Sequence, residues 1–148
     1  LKLTSSNNKV VISSTLASSS KDTGALVVEG GLGVEGTIHA GNDVVAFSSS
    51  DITLKKDISP IENALEMINK LSGNTFTWNA GIQHLVPYEN GTKDTGILAQ
   101  EVEALGLPGV TTTRGDGVKA VRYERLIPVL IEAVKELTAK VKSLESNK

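Results

Sequence analysis

The chain changes character at one point, between Ser49 and Ser50. Residues 1–49 are rich in Gly, Ser and Val and almost free of helix formers, whereas the remainder holds capped segments with helical apolar spacing. This seam limits the first part to short strands joined by turns and leaves the second to build a small helical module. Lys9–Ile12, Ala25–Val28, Gly36–His39 and Asp43–Phe47 read as strands, punctuated by Ser18-Ser19-Ser20, Gly30-Gly31 and Gly41-Asn42. Strands this short cannot close a core alone. Winding around sister chains, as in a fibrous β-stalk, would supply the missing burial.

After the seam, Ser59 as N-cap, Pro60 at the first helical position and Glu62 completing a capping box predict a helix over 59–72. Ala64, Leu65, Ile68 and Leu71 fall at helical spacing, and Gly73 is its stop. Thr75–Trp78 reads as a strand, and 79–94, with Pro87, Asn90 and Gly91, as a loop. Ile97–Leu105 suits a short helix ended by Gly106 and Pro108. Gly109–Thr113 and Val118–Tyr123 flank Arg114-Gly115-Asp116-Gly117 as a hairpin.

The last element is a long helix over about 124–146, with Pro128 tolerable only in its first turn. Ile127, Leu130, Val134, Leu137, Val141 and Leu144 repeat in steps of three and four, a heptad seam with Ile or Val at a and Leu at d. The seam predicts a coiled coil; the plainer alternative is an amphipathic helix docked on its own domain. Val at a with Leu at d leans toward dimers, so the heptad gives no argument for a trimer. The fold class expected is α+β: a β-stalk end over 1–49, then a small mixed domain over 50–148 with a hairpin and a long C-terminal helix.

Aromatic residues make up only 3% of the 148, a thin core for a monomer, which implies burial completed by other copies. A net charge of -2 gives no basic field for nucleic acid. Without cysteine there are no thiolate metal sites, and His39 and His84 stand apart without the spacing of a zinc site, so no metal is expected. No apolar run approaches the roughly 20 residues of a membrane span. The chain opens on Leu1 and its only methionine is Met67, so it is expected to be the C-terminal piece of a longer polypeptide.

Three further patterns take plain readings. Gly31-Leu32-Gly33-Val34-Glu35-Gly36 fits a dinucleotide-binding run, but that run needs a helix after its last glycine, and strand and turn residues follow. The glycines are read as tight turns of a stalk, and no cofactor is expected. Arg114-Gly115-Asp116 matches an adhesion tripeptide and is read as a hairpin turn. Glu101 and Glu103 point to different faces of a helix and are read as solvated.

Ser50, Asp51 and Lys55 form the candidate catalytic group. A serine hydroxyl is a poor nucleophile until a base takes its proton, and a lysine serves as that base only when neutral. Burial favours the neutral amine, and Ile52, Leu54 and Ile58 are the apolar residues available to provide it. Ser50 could then attack the Ser49 carbonyl to give an ester that water hydrolyses. Asp51 could orient the lysine or fix the turn at the scissile bond. Spacing alone does not distinguish this group from a polar linker.

From Ser50 to about Leu144 the chain resembles the C-terminal intramolecular chaperone of phage tail spikes and fibres. This is the endosialidase type of the peptidase S74 family, found also in myelin regulatory factor. The resemblance rests on Ser50-Asp51, Leu54-Lys55, Asp57-Ile58, Pro60-Ile61, Ala64-Leu65, Leu71, Phe76-Thr77-Trp78, Gly96–Val102 and Val121–Leu137, in order and at matching spacing. Thr23–Val34 also looks like a stretch recurrent in phage fibres, which favours the viral branch. The resemblance implies a homotrimer that templates the upstream fibre of the same polypeptide. It implies self-cleavage between Ser49 and Ser50, with Ser50 and Lys55 as the dyad. Assembly in the host cytoplasm would leave residues 1–49 on the virion fibre and release 50–148. A trimerisation cap that never cuts, and a receptor-binding tip kept on the virion, are the alternatives.

Overall fold

The computed structural model describes residues 10–34, 36–82, 85–86 and 88–147. Lys9 of the first expected strand, Glu35 of the glycine run, His84 and Pro87 lie outside them. The chain divides into two compact units, Leu1–Asn42 and Asp43–Lys148.

Among the described residues of the first unit no strand or helix forms. The strands expected at 10–12, 25–28 and 36–39 are absent, as is the one expected at 43–47 in the second unit. A strand needs a ladder partner, and these segments have none within one chain. Their apolar side chains stay in solvent: Val11 is 64% exposed, Leu26 62%, Ile38 67% and Phe47 95%. Order in this unit is local. Thr23 Oγ1 accepts the Ser19 and Ser20 amides at 2.8 and 2.9 Å, closing a small turn. None of Gly30, Gly31, Gly33 and Gly36 takes a left-handed φ, so they do not make the glycine-requiring tight turns expected of them. No helix follows Gly36.

The second unit is a small mixed α/β domain. Its elements are α1 (Ala64–Asn69), β1 (Asn74–Thr77), β2 (Lys93–Gly96), α2 (Ala99–Ala104), β3 (Thr111–Thr113), β4 (Lys119–Val121) and α3 (Ile127–Ser146). A 3₁₀ turn at Ile52–Leu54 precedes them and another at Tyr123–Leu126 leads into α3. The strands make two separate antiparallel pairs. β1 meets β2 with Asn74 opposite Gly96 and Thr77 opposite Lys93; β3 meets β4 with Thr111 opposite Val121. The expected hairpin therefore forms, turning through Gly117 at φ 84°. β2 begins at the end of the stretch read as loop, 79–94, and was not expected. Gly96 has a packing reason: a Cβ there would lie 2.7 Å from Tyr123 Oη, the hydroxyl that accepts the Ile97 amide at 3.3 Å.

The first helix starts later than its capping box predicts. Asn63 takes a left-handed conformation at φ 55°, so α1 begins at Ala64 and Ser59 caps nothing. The cap comes from α3 instead. Glu136 accepts the Ala64 amide at 2.8 Å on Oε1 and the Leu65 amide at 3.1 Å on Oε2, satisfying two helix-terminal N–H groups with one carboxylate. Glu136→Ala leaves both amides unpaired in a half-buried site. It is expected to lower unfolding free energy by about 1–3 kcal/mol, read from the urea midpoint at unchanged m-value, with Glu136→Gln recovering part.

The core is small. Among the described residues, Ala64, Val129 and Ala133 are buried in one cluster and Val102, Val110 and Leu126 in a second, and Leu107 packs against both. α3 therefore meets α1 through the stripe of Val129, Ala133 and Glu136. Pro128 lies in the first turn of α3, where its missing N–H costs nothing.

Candidate functional site

Ser50 and Lys55 meet. Lys55 Nζ donates to Ser50 Oγ at 2.7 Å across five residues of sequence. The 3₁₀ turn at Ile52–Leu54 brings them together. An extended chain would carry five residues over about 17 Å, whereas a 3₁₀ turn rises only about 2 Å per residue. The turn closes through the Leu54 amide on Asp51 O at 3.2 Å and the Lys55 amide on Ile52 O at 3.1 Å. Asp51 is its N-cap. Asp51 Oδ1 accepts the Thr53 amide at 2.8 Å and the Thr53 hydroxyl at 2.6 Å. Those bonds, the hydroxyl's first and the amide's second, hold the Asp51 carboxyl below its ordinary value. Among the described residues Asp51 makes no ion pair with Lys55, and its bonds go to the turn.

The apolar surround expected for the lysine does not form within one chain. Ile52, Leu54 and Ile58 are 72%, 71% and 63% exposed, and Ser50 and Lys55 are exposed as well. Neither hydrophobic cluster of the described residues includes Ile52, Leu54 or Ile58.

The other sequence candidates resolve differently. Arg114 pairs with Asp116 at 2.7 Å and donates to Leu85 O at 2.8 Å, while Asp116 Oδ1 accepts the Val118 amide at 2.9 Å. The tripeptide is thus folded into its own turn. Glu101 and Glu103 are not merely solvated: Glu101 Oε2 accepts the Ser72 amide at 2.8 Å and Glu103 pairs with Lys119 at 2.6 Å, tying α2 to its neighbours. The sequence reading passed over a groove of about 550 Å³ between the β1–β2 pair and the β3–β4 hairpin. Four of the chain's five aromatic residues line it, and Trp78 stacks on Tyr88 at 4.7 Å. The strand signals at Thr75–Trp78 and Val118–Tyr123 are its traces in the sequence.

The heptad residues do not contact the domain's core. Ile127, Leu130, Val134, Leu137, Val141 and Leu144 are between 45% and 69% exposed. α3 spends its other stripe on α1, so domain docking and the heptad seam use different faces of one helix.

Comparison with known proteins places this geometry in a family. The family described as chaperone of endosialidase matches residues 50–112, beginning at Ser50. Long tail fiber protein Gp37 of Enterobacteria phage K3 is 36% identical over 103 residues, 68% of this chain and 8% of that protein. The Gp37 of Enterobacteria phage T2 is likewise 36% identical over 103 residues, covering 7% of its length. That of Escherichia phage AR1 is 32% identical over 128 residues, 77% of this chain and 11% of its own. The chain therefore spans only about a tenth of the relatives it matches. Over residues 50–112 it carries an S74-type chaperone domain of the endosialidase-chaperone family.

Proposed function

We propose that this domain is the C-terminal chaperone of a phage tail fibre that cuts itself off between Ser49 and Ser50 once three copies have assembled. The observation that carries the reading is the 2.7 Å contact between Lys55 Nζ and Ser50 Oγ at the first residue of the family match.

In the reaction, Nζ takes the Oγ proton as Oγ bonds to the Ser49 carbonyl carbon. The Ser49–Ser50 C–N bond then breaks, and the Ser50 nitrogen receives that proton and leaves as an amine. The ester formed is hydrolysed by one water, which ends in the Ser49 carboxylate while Oγ regains a proton. Exposed Ile52, Leu54 and Ile58 are the side chains that assembly would cover, and covering them would favour the neutral lysine that the first step needs. Cutting thus waits on assembly.

Chaperone function follows from the same features. Stalk segments without partners in one chain need three chains in register, and non-local pairing of that kind is slow. A domain with a free apolar seam on α3 holds the chains together and raises their effective concentration. Cleavage afterwards makes the assembly kinetically irreversible. The trimer itself is taken from the family, not from the heptad. On this reading assembly takes place in the host cytoplasm, residues 1–49 stay on the virion fibre, and 50–148 are released.

Intact-mass measurement of the expressed full chain tests the reading. Two species, residues 1–49 and residues 50–148 with a free Ser50 amine, are expected. A single uncut mass would leave a trimerisation cap that does not cut. The aromatic groove favours one other reading, a tip retained on the virion to bind a receptor. Finding residues 50–148 in purified particles would support that one instead.

A further inference from the structure

The segment that carries the dyad is held by hydrogen bonds alone. None of its residues is buried, and its two apolar side chains, Ile52 and Leu54, point into solvent. A three-residue 3₁₀ turn has poor backbone hydrogen-bond geometry, and such turns persist only when something else fixes them. Here the two backbone bonds are the longer ones, 3.2 and 3.1 Å. The shorter ones both come from Thr53, whose hydroxyl and amide reach Asp51 Oδ1 at 2.6 and 2.8 Å. One residue thus supplies two donors to a single carboxylate oxygen across the turn that separates Ser50 from Lys55.

We propose that Thr53 is a positioning residue of the self-cleavage reaction: its hydroxyl locks Asp51 into the turn that keeps Lys55 Nζ on Ser50 Oγ. This rests on the self-cleavage reading given above. Asp51 accordingly acts on the dyad through Thr53 and the backbone. It does so without touching the lysine, which accounts for an acidic residue next to the nucleophile that makes no ion pair with the base. Among the described residues Thr53 has no packing partner in the hydrophobic clusters, so the fold has no separate use for it. The lock also survives at working pH. The Thr53 bonds hold the Asp51 carboxyl below its ordinary value, so the anchor is charged throughout the neutral and alkaline range in which a lysine base operates.

The test follows the appearance of the Ser50-terminated fragment by mass in the full chain, for wild type, Ser50→Ala, Thr53→Val, Thr53→Ser, Asp51→Ala and the Asp51→Ala/Thr53→Val double variant. Small misplacements of reacting groups cost rate steeply, so Thr53→Val is expected to cut roughly tenfold or more slowly, and Thr53→Ser, which keeps the hydroxyl, to recover the rate. The double variant is expected to be no slower than Asp51→Ala alone, because the two residues form one device. In the uncut Ser50→Ala background, oligomer mass and melting temperature stay unchanged when Thr53 and Asp51 are replaced, since a fold-wide role would move them and a lock on the dyad does not. Thr53→Val cutting at the wild-type rate, Thr53→Ser failing to recover, or the two losses multiplying in the double variant would each overturn the proposal while leaving self-cleavage standing. Wild type and Ser50→Ala remaining equally uncut would remove self-cleavage and this role together.

Discussion

The full chain carrying Ser50→Ala is expected to remain a single species of residues 1–148 under conditions that convert the wild type to 1–49 and 50–148. Removing the nucleophile leaves no group to form the ester, so the loss is at least about a thousandfold. Lys55 is tested by two replacements with different meanings. Lys55→Met removes both base and charge, and loss of a positioned general base costs about 10²–10⁴ in rate. Lys55→Arg keeps the positive charge and hydrogen-bond donors, but a guanidinium does not deprotonate in proteins and cannot accept the Oγ proton. If Lys55 works as a base, both variants stop cutting. If it works only by its charge, Lys55→Arg continues. Lys56 stays intact in each, so residual cutting at the wild-type rate would transfer the role to it.

The pH dependence of the wild type separates the two charged residues of the segment. The Asp51 carboxyl is held below its ordinary value by the Thr53 hydroxyl and then by the Thr53 amide. A depressed carboxyl contributes its stabilisation above the ordinary aspartate value and loses it only as pH falls through the lower, folded one. From about pH 5 upward the anchor is therefore constant. A rate that climbs with pH across the neutral range belongs to the base, which must be neutral to act.

The parts of this domain that were legible in the sequence are those whose determinants are local. The β3–β4 hairpin is announced by Arg114-Gly115-Asp116-Gly117, and α3 by its apolar repeat and by Pro128 in the first turn. The Ser50–Lys55 contact was readable as a pair of residue types, and its turn is local too, yet Thr53 escaped notice because a threonine in a polar run carries no signal of its own. Features set from a distance were not readable. β2, with the sequence Lys93-Asp94-Thr95-Gly96, lacks apolar alternation and exists because β1 offers it a ladder. The start of α1 is fixed by Glu136, 72 residues away from Ala64, which overrides the nearer capping box at Ser59. The strands expected before Ser50 belong with these: their composition permits pairing, but among the described residues none of them is laddered to a partner.

Aspartates at Val134 and Leu137 are expected to dissociate the assembly while leaving the single domain folded. These side chains are 61% and 49% exposed on α3, so the isolated chain loses little when they change. In an assembled seam each apolar residue contributes about 1 kcal/mol or more by further burial, and a buried unpaired carboxylate costs several times that. The association constant should fall by at least about a hundredfold. Val129→Asp is the control for the domain-docking face: at 1% exposure it sits in the α1–α3 cluster, and its replacement unfolds the domain itself. Sedimentation equilibrium in the uncut Ser50→Ala background reads the outcome directly, with three times the 15.6 kDa chain mass expected before the seam is broken and one after. Twice that mass would favour the dimer to which Val at a and Leu at d incline. A seam variant that stays trimeric would mean that the exposed stripe is not the interface. The same aspartates placed in the cutting-competent chain then decide how assembly and chemistry are linked. If covering Ile52, Leu54 and Ile58 is what readies Lys55, the monomeric variant keeps Ser50 and Lys55 in contact yet stays uncut. Cutting at the wild-type rate in a monomer would show that the turn alone is enough.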